Sequence, residues 1–559
     1  MLFSMGSTAG TSARTRVGAF VIVLAALAWT GTAAAAQAKP LPELAPAAHD
    51  ALARAAARGE LSQAQYALQR ARSLFELRAV RARFGDVARP DPHAATMILR
   101  DLAVRLSDLS PAERKQARGL LARPDDGDVP DGTHGWSLNE MTNAAAPLCD
   151  VGGRLCVHYT TVEDDAADPA FAAQVRDTLA AVWDTEVTGF GYRAPRSDDA
   201  SANDGGDGRL DVYLLDLGQE GIFGYCTSDD PNLFSPSYQF FAFSAYCALD
   251  NDYVGFGPRT PTEYLQVTTS HEFFHAVQFA YDFLEDIWLM EGTAAWMEDE
   301  AYPAINDNFI FLPQSPLRVP TSPLDRGDDG FEYGSWVYFK YLSELLVGTR
   351  DVVREIWLRA DGSEFQAYND RFSMQAVRDA LAARGKGWNG SFARFARENR
   401  IRTNYGDGFL YPSTPTARTW SIRPARRSTG WQSKVLKHLA NRFYSLTPGT
   451  GVRSTGRLRV EVDLPPTTTA PVANLLIVFK SGATRVVPFR LSGQGNGAKT
   501  VTFNRKTVAR VDLILTNAST RYDFATCFAF PPWTSYSCGG ARSRDDSRRY
   551  RFRATLAHR

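Results

Sequence analysis

The spacing of apolar residues along the chain divides it into three regimes. Residues 37–125 carry Ala-, Arg- and Leu-rich stretches that predict helices over Gln63–Phe84 and Ala94–Leu106. Ser110-Pro111-Ala112-Glu113 is a capping box with proline at the first helical position and opens a third helix. Arg123–Gly135 is dense in Pro, Asp and Gly and reads as a linker. From Trp136 to Ala425 the pattern is mixed, with strands expected at Leu155–Thr161, Arg209–Leu217 and Gln239–Ala248. Helices are expected at Phe171–Thr185, Thr268–Phe283, Thr293–Glu300 and Ser335–Leu346. Pro303–Gly330 is proline-rich and irregular, and a loop that long inside a compact domain is usually functional or mobile. From Lys434 onward short β-like runs separated by turns recur at Leu458–Leu464, Asn474–Lys480, Thr484–Leu491, Thr500–Phe503 and Val508–Thr516, a β-sandwich pattern. The expected fold class is therefore α+β and multidomain: a helical N-terminal region (37–125), a mixed domain (136–425) and a C-terminal β-sandwich (434–559).

One long apolar run stands apart. Arg14 and Arg16 precede Val17–Trp29, and small residues follow to Ala34 and Ala36. A basic start, an apolar core and an A-x-A site read as a signal peptide over 1–36, cleaved near Ala36 to leave a secreted chain beginning at Gln37. The alternative is an uncleaved anchor, but the strongly apolar core falls short of the ~20 residues that a membrane span needs. No stable span is expected after cleavage. Export permits disulfides, and six cysteines fall into neighbouring couples: Cys149 with Cys156, Cys226 with Cys247, and Cys527 with Cys538. That pairing rests on proximity alone. No C-x-x-C occurs to suggest a thiolate metal site. With 62 basic and 62 acidic side chains the net charge is zero, so nothing draws the chain onto nucleic-acid phosphates.

The chemistry concentrates in His271-Glu272-Phe273-Phe274-His275. Residues four apart on a helix share a face, so two imidazoles so placed can bind one metal ion, and Glu272 can reach a water beside it. The surrounding helix is so apolar that two histidines and a glutamate need partners, and a metal supplies one. Glu291, in Trp288-Leu289-Met290-Glu291-Gly292, is the expected third ligand, since catalytic zinc takes three protein ligands and keeps one position open. Glu298, seven residues further on, is a rival ligand or a hydrogen-bond partner for a ligating histidine.

His271-Glu272-x-x-His275 followed by W-x-x-E-G-x-A-x-W resembles the gluzincin clan of metallopeptidases. Within it, the wording is similar to a secreted bacterial metalloprotease family, the myxobacterial 6640-type. Residues 206–214 (Gly-Asp-Gly-Arg-Leu-Asp-Val-Tyr-Leu), Cys247–Tyr253, His271–Glu300 and Tyr333-Gly334-Ser335-Trp336 carry the resemblance, which covers roughly 140–345 well. It implies a thermolysin-like catalytic domain, Zn²⁺ on His271, His275 and Glu291, Glu272 as general base, and a tyrosine as oxyanion donor. Tyr333 is the candidate, with Tyr338 behind it. One departure stands out: thermolysin-type enzymes carry an aspartate four residues after the ligand glutamate, and here that place is Ala295.

Weaker signals remain. Asp198–Asp211 is acidic and glycine-rich and suits Ca²⁺, although it lacks EF-hand spacing; a solvated turn is the plainer reading, and Asp250-Asn251-Asp252 shares the ambiguity. The other histidines show no partner spacing, and no G-x-S-x-G supports a serine nucleophile. The sequence thus points to a secreted zinc endopeptidase acting on protein or peptide. A non-catalytic, zinc-stabilised binding or adhesion protein is one alternative and an aminopeptidase another, for which no G-x-M-E-N-type motif exists. Residues 37–125 stand as a propeptide or a permanent accessory domain.

Overall fold

The computed structural model describes residues 50–127, 134–234, 240–363, 370–522, 543–546 and 548–557. The expected signal peptide and the Cys527–Cys538 couple lie outside them. The architecture is mixed α/β, with a helical N-terminal part, a five-stranded sheet among helices, and two further sheets toward the C-terminus. No helix among the described residues is long and apolar enough to cross a membrane.

The N-terminal helices are α1 (Ala51–Ala57), α2 (Gln63–Phe75), α3 (Leu77–Phe84), α4 (Ala95–Ala103) and α5 (Pro111–Leu121). Both partners of the Ser110–Glu113 capping box bond as the sequence reads. Leu68, Ala71, Ile98, Leu99, Leu102 and Leu120 do not form a separate core; they join the apolar cluster of the central part. Only α1, α3 and one side of α2 keep their own small cluster, around Leu52, Tyr66 and Val80.

After a short α6 (Leu138–Thr142), the central sheet comprises β1 (Leu148–Cys149), β2 (Leu155–His158), β3 (Leu210–Leu215), β4 (Gly224–Thr227) and β5 (Tyr246–Asp250). Its order is β1-β2-β3-β5-β4, with parallel β2–β3–β5 flanked by antiparallel β1 and β4. β3 and β5 are buried along their whole length, as strands covered on both faces should be. Cys149–Cys156 and Cys226–Cys247 are both disulfide-bonded, each across directly paired residues of two strands. Two disulfides fit a secreted protein. The strand expected at Gln239–Ala248 forms only from Tyr246. Ahead of it, Phe241 and Phe243 donate singly to Gly362 and Phe279 carbonyls instead of joining a ladder.

α7 (Pro169–Trp183) and α8 (Pro261–Asp282) pack against this sheet, and α4 lies on β4. α8 starts seven residues before the expected Thr268, because Thr260 and Glu263 form a capping box with Pro261 at the first turn. It is buried almost all round, as a helix apolar on every face must be. A tight turn leads into α9 (Ile287–Ala301), which packs back on α8 and begins ahead of the expected Thr293. Then come α10 (Phe331–Gly334), α11 (Trp336–Lys340), α12 (Asp351–Trp357), α13 (Met374–Ala383) and α14 (Trp388–Arg400). The irregular stretch before α10 is held by Arg259, which bonds Asp307 and the Ile305 and Asn306 carbonyls, and by Leu324 N–H to Leu439.

The C-terminal sheets are built from β6 (Arg418–Ile422), β7 (Gln432–Val435), β8 (Ala440–Pro448), β9 (Arg457–Asp463), β10 (Pro471–Phe479), β11 (Thr484–Pro488), β12 (Asn496–Thr502), β13 (Val508–Asn517) and β14 (Arg549–Ala557). One sheet runs β11-β10-β13-β8-β6 and the other β12-β9-β14-β7. Tyr444, Leu446, Val460, Leu475, Leu513 and Phe552 from both sheets share one cluster. β9 and β14 alternate buried and exposed, the mark of one covered face. β10 and β13 are buried nearly throughout, because Ala396 of α14 covers Leu476 and Ile514 on their other face.

Candidate metal centre

α8 presents His271 and His275 one turn apart, and α9 returns Glu291 to them. His271 Nε2 lies 3.2 Å and His275 Nε2 3.4 Å from the same Glu291 oxygen. One ligand atom from each of the three side chains lies within 4.8 Å of the others. His275 and Glu291 are fully buried, and His271 and Glu272 are 6% and 5% exposed. Gly292 lets α9 close on the α10–α11 junction: a Cβ there would collide with Ser335 Oγ.

The outer ring nitrogens are held as well. His275 Nδ1 meets Gln278 Oε1 at 2.7 Å, and Gln278 Nε2 donates to the Met290 carbonyl at 2.9 Å and to Thr293 Oγ1 at 3.0 Å. With its amide so oriented, Gln278 can only accept from His275. The imidazole therefore carries its proton on Nδ1 and turns a lone pair on Nε2 inward. That Nε2 and Glu291 Oε1 are buried without hydrogen-bond partners among the described residues. His271 Nδ1 meets Glu298 Oε1 at 2.6 Å. Glu298 thus meets the opposite ring nitrogen of His271 from the one that faces Glu291.

Electrostatics follow burial and charge. Burial alone would raise the Glu291 carboxyl, yet the neighbouring His275 and His271 bring it down to about 2. Burial pushes Glu298 up to about 7 against the pull of His271. Burial opposes protonation of His271, but Glu291 and Glu298 outweigh it and raise its pKa.

Glu272 Oε2 accepts a 2.8 Å hydrogen bond from Thr96 Oγ1, and its carbonyl lies 3.0 Å from Cys226 Sγ. Tyr333 is brought to the site: its ring stacks on His271 at 6.2 Å, and burial raises its pKa. Its hydroxyl makes no well-formed hydrogen bond among the described residues. Tyr338 packs among Tyr341 and Phe395 instead. Glu332, unnoticed in the sequence, is a buried carboxylate lining one cavity with Glu291 and Tyr333. Gln278 carried a readable signal, its i+3 spacing from His275. Thr96 carried none.

Two carboxylates of the acidic loop, Asp198 and Asp211, face a cation of the chain itself. The Arg123 guanidinium, fully buried, bonds Asp198 at 2.5 Å, Asp229 at 2.8 Å and Asp211. Asp211 also meets His158 Nε2 at 2.7 Å. Asp250 accepts from Leu217, Asp252 and Tyr253 N–H groups, a backbone-capped turn.

No protein-family model and no curated protein matches the chain. Among solved structures it is similar to a family GH115 4-O-methyl-α-glucuronidase with specificity for decorated arabinogalactans, at 9% identity and a TM-score of 0.13. The match covers 66% of this chain and spans 54% of that protein's length. At that score the site stands on its own geometry.

Proposed function

We propose that the protein is a secreted zinc-dependent endopeptidase of gluzincin type, with a thermolysin-like catalytic domain and a C-terminal β-sandwich. The observation that carries the reading is the inward-facing trio His271, His275 and Glu291. Their nitrogen-to-oxygen spacings of 3.2 and 3.4 Å match the edge of a zinc tetrahedron, about 3.3–3.4 Å for bonds of ~2.0–2.1 Å. The orphaned His275 Nε2 and Glu291 Oε1 are the buried atoms such an ion would satisfy.

Zinc held by these three side chains supplies Lewis-acid polarisation of a substrate carbonyl and lowers the pKa of a water molecule. With zinc bound, Glu272, beside the trio on α8, would take a proton from water and deliver it to the leaving amine. The Tyr333 hydroxyl, buried beside the trio, is the proposed donor for the developing oxyanion. Gln278 and Glu298 fix ring tautomer and orientation, so the two imidazoles are set before substrate arrives.

The test is zinc per molecule in the secreted protein by elemental mass spectrometry. One zinc is expected in wild type and none in His275→Ala. Glu272→Gln is expected to keep the zinc and lose hydrolysis of blocked peptides by roughly 10²–10⁴-fold. Folded wild-type protein, purified without chelator and free of zinc, would sink the proposal.

A further inference from the structure

The zero net charge of the chain is the sum of two opposite parts. From Arg418, where β6 begins, to the end of the sequence there are 25 Lys and Arg against 6 Asp and Glu. The preceding residues carry the other 37 basic and 56 acidic side chains. The stretch that builds the C-terminal sheets thus bears a charge of +19, and the rest −19. Two of its six acids, Asp512 and Asp545, are buried, so its surface is more basic still. A surplus of that size on one part of a molecule sets up a field that draws anions to it.

The surplus lines up on one sheet face. In β9 and β14, Leu458, Val460, Phe552 and Ala554 join the core between the sheets. Strand alternation therefore turns Arg457, Arg459, Arg549, Arg551 and Arg553 to the other face. Two acids stand among them: Glu461 accepts from Arg553 at 2.8 Å, and Asp463 from Arg551 at 2.8 Å. The flanking strands β7 and β12 add no acidic residue. Five guanidinium groups against two carboxylates leave a surplus of three positive charges on this face. Past the end of β14 the basic run continues through Arg427, which donates to the Leu556 carbonyl, and the exposed Arg423 and Arg426. At about 3.3 Å per residue, the nine residues of β14 make a strip about 30 Å long.

Trp431, just ahead of β7, is 42% exposed and lies against this row. The Arg551 and Arg553 guanidinium carbons are 5.1 and 5.0 Å from its ring centroid. An indole beside guanidinium forks suits a sugar ring that carries a carboxylate or sulfate: the sugar's C–H groups rest on the ring, and a fork takes two anion oxygens. Other polyanions fit less well. The face is a sheet, and among the described residues no helix or ribbon projects from it to enter a DNA groove. Single strands stack on a series of aromatic side chains, and Trp431 is the one aromatic exposed on this face among the described residues. A bilayer takes up an apolar face, and here Val435 is the one large aliphatic exposed beside Trp431.

We infer that the arginine face of sheet β12-β9-β14-β7 is a docking surface for an acidic polysaccharide. It stands whether or not the central site hydrolyses peptides.

The experiment uses the full chain and follows binding to polygalacturonate, dextran sulfate and uncharged dextran by affinity electrophoresis, between about 50 and 200 mM salt. Wild type is expected to bind the charged polymers, more weakly as salt rises, and to ignore dextran; the tighter of the two tells carboxylate from sulfate. Arg457→Gln, Arg459→Gln and Arg549→Gln together are expected to lower affinity about tenfold with an unchanged melting temperature. Trp431→Ala is expected to weaken polygalacturonate binding several-fold. The same loss of three charges around the opposite sheet, Lys480→Gln, Arg485→Gln and Lys506→Gln, is expected to change affinity less than about twofold. An equal loss there would make diffuse charge the cause and overturn the face. Tighter binding of double-stranded DNA or phosphatidylserine vesicles than of either polymer, at equal salt, would give the surface another occupant and overturn the proposal. Self-association in place of polymer binding would do the same, with a second copy as the occupant. No binding of either charged polymer by wild type at about 50 mM salt would sink it outright.

Discussion

Gln278 decides a histidine's tautomer without carrying charge. Its amide nitrogen is committed to Met290 and Thr293, so its oxygen must accept from His275, and the inner nitrogen is left with its lone pair facing Glu291. Glu298 performs the same task for His271 with a carboxylate. Removing such a partner weakens metal affinity by about 10–100-fold without touching a ligand. Glu298→Ala is therefore expected to raise the zinc dissociation constant by that factor in competition with a chelating dye, while His275→Ala abolishes binding. If Glu298→Ala also abolished it, Glu298 would be a ligand after all. His271, Glu272 and His275 were legible because helical spacing is a local rule, and Glu291 because a short return helix is nearly one. Thr96 was not, because 176 residues separate it from Glu272 and only tertiary packing joins them.

At the level of elements, the long amphipathic or all-apolar helices could be read and their starts could not. α8 begins before its first obviously apolar residue and α9 ahead of the expected Thr293, where Thr260 and Asp286 take N-cap positions. β4 was missed altogether: four residues with a leading glycine give too little alternation to read. Yet β4 is the strand that Cys226–Cys247 fastens to β5 beside Glu272. That bridge closes a separation of 21 residues, whereas Cys149–Cys156 closes 7. Chain entropy assigns about 3 kcal/mol to a 15-residue loop and less to a shorter one. Urea unfolding of the two paired Cys→Ser variants should show the larger loss for Cys226/Cys247. The reverse order would mean that strain, not loop closure, dominates.

Across the whole molecule, the stretch before α10 is tied to the end of the chain through a buried histidine. His438 Nδ1 meets Asp546 at 2.6 Å and its Nε2 meets Asp325 at 3.1 Å, while Tyr522 donates to Asp325 at 2.6 Å. Burial disfavours the imidazolium, but the two aspartates outweigh it and raise the pKa from 6.5 to about 9. A folded pKa above the unfolded one stabilises fully below pH 6.5, and the gain is lost as pH rises through 9. Melting temperature should thus fall between pH 7 and about 9.5 in wild type, and His438→Gln should remove that part of the slope. An unchanged slope would place the titration elsewhere. The sequence offered no hint of this junction, because its three charged members lie 108 and 113 residues apart along the chain.

Arg123 gives the acidic loop something that a dissolved ion cannot. A cation from solution comes and goes with the composition of the medium, but this one is covalently part of the molecule, and its local concentration is set by chain connectivity. Enclosed among Asp198, Asp211 and Asp229 and fully shielded from solvent, it is also hidden from the screening that weakens exposed charges. That counter-charge is inherited with the polypeptide and needs no supply from the surroundings.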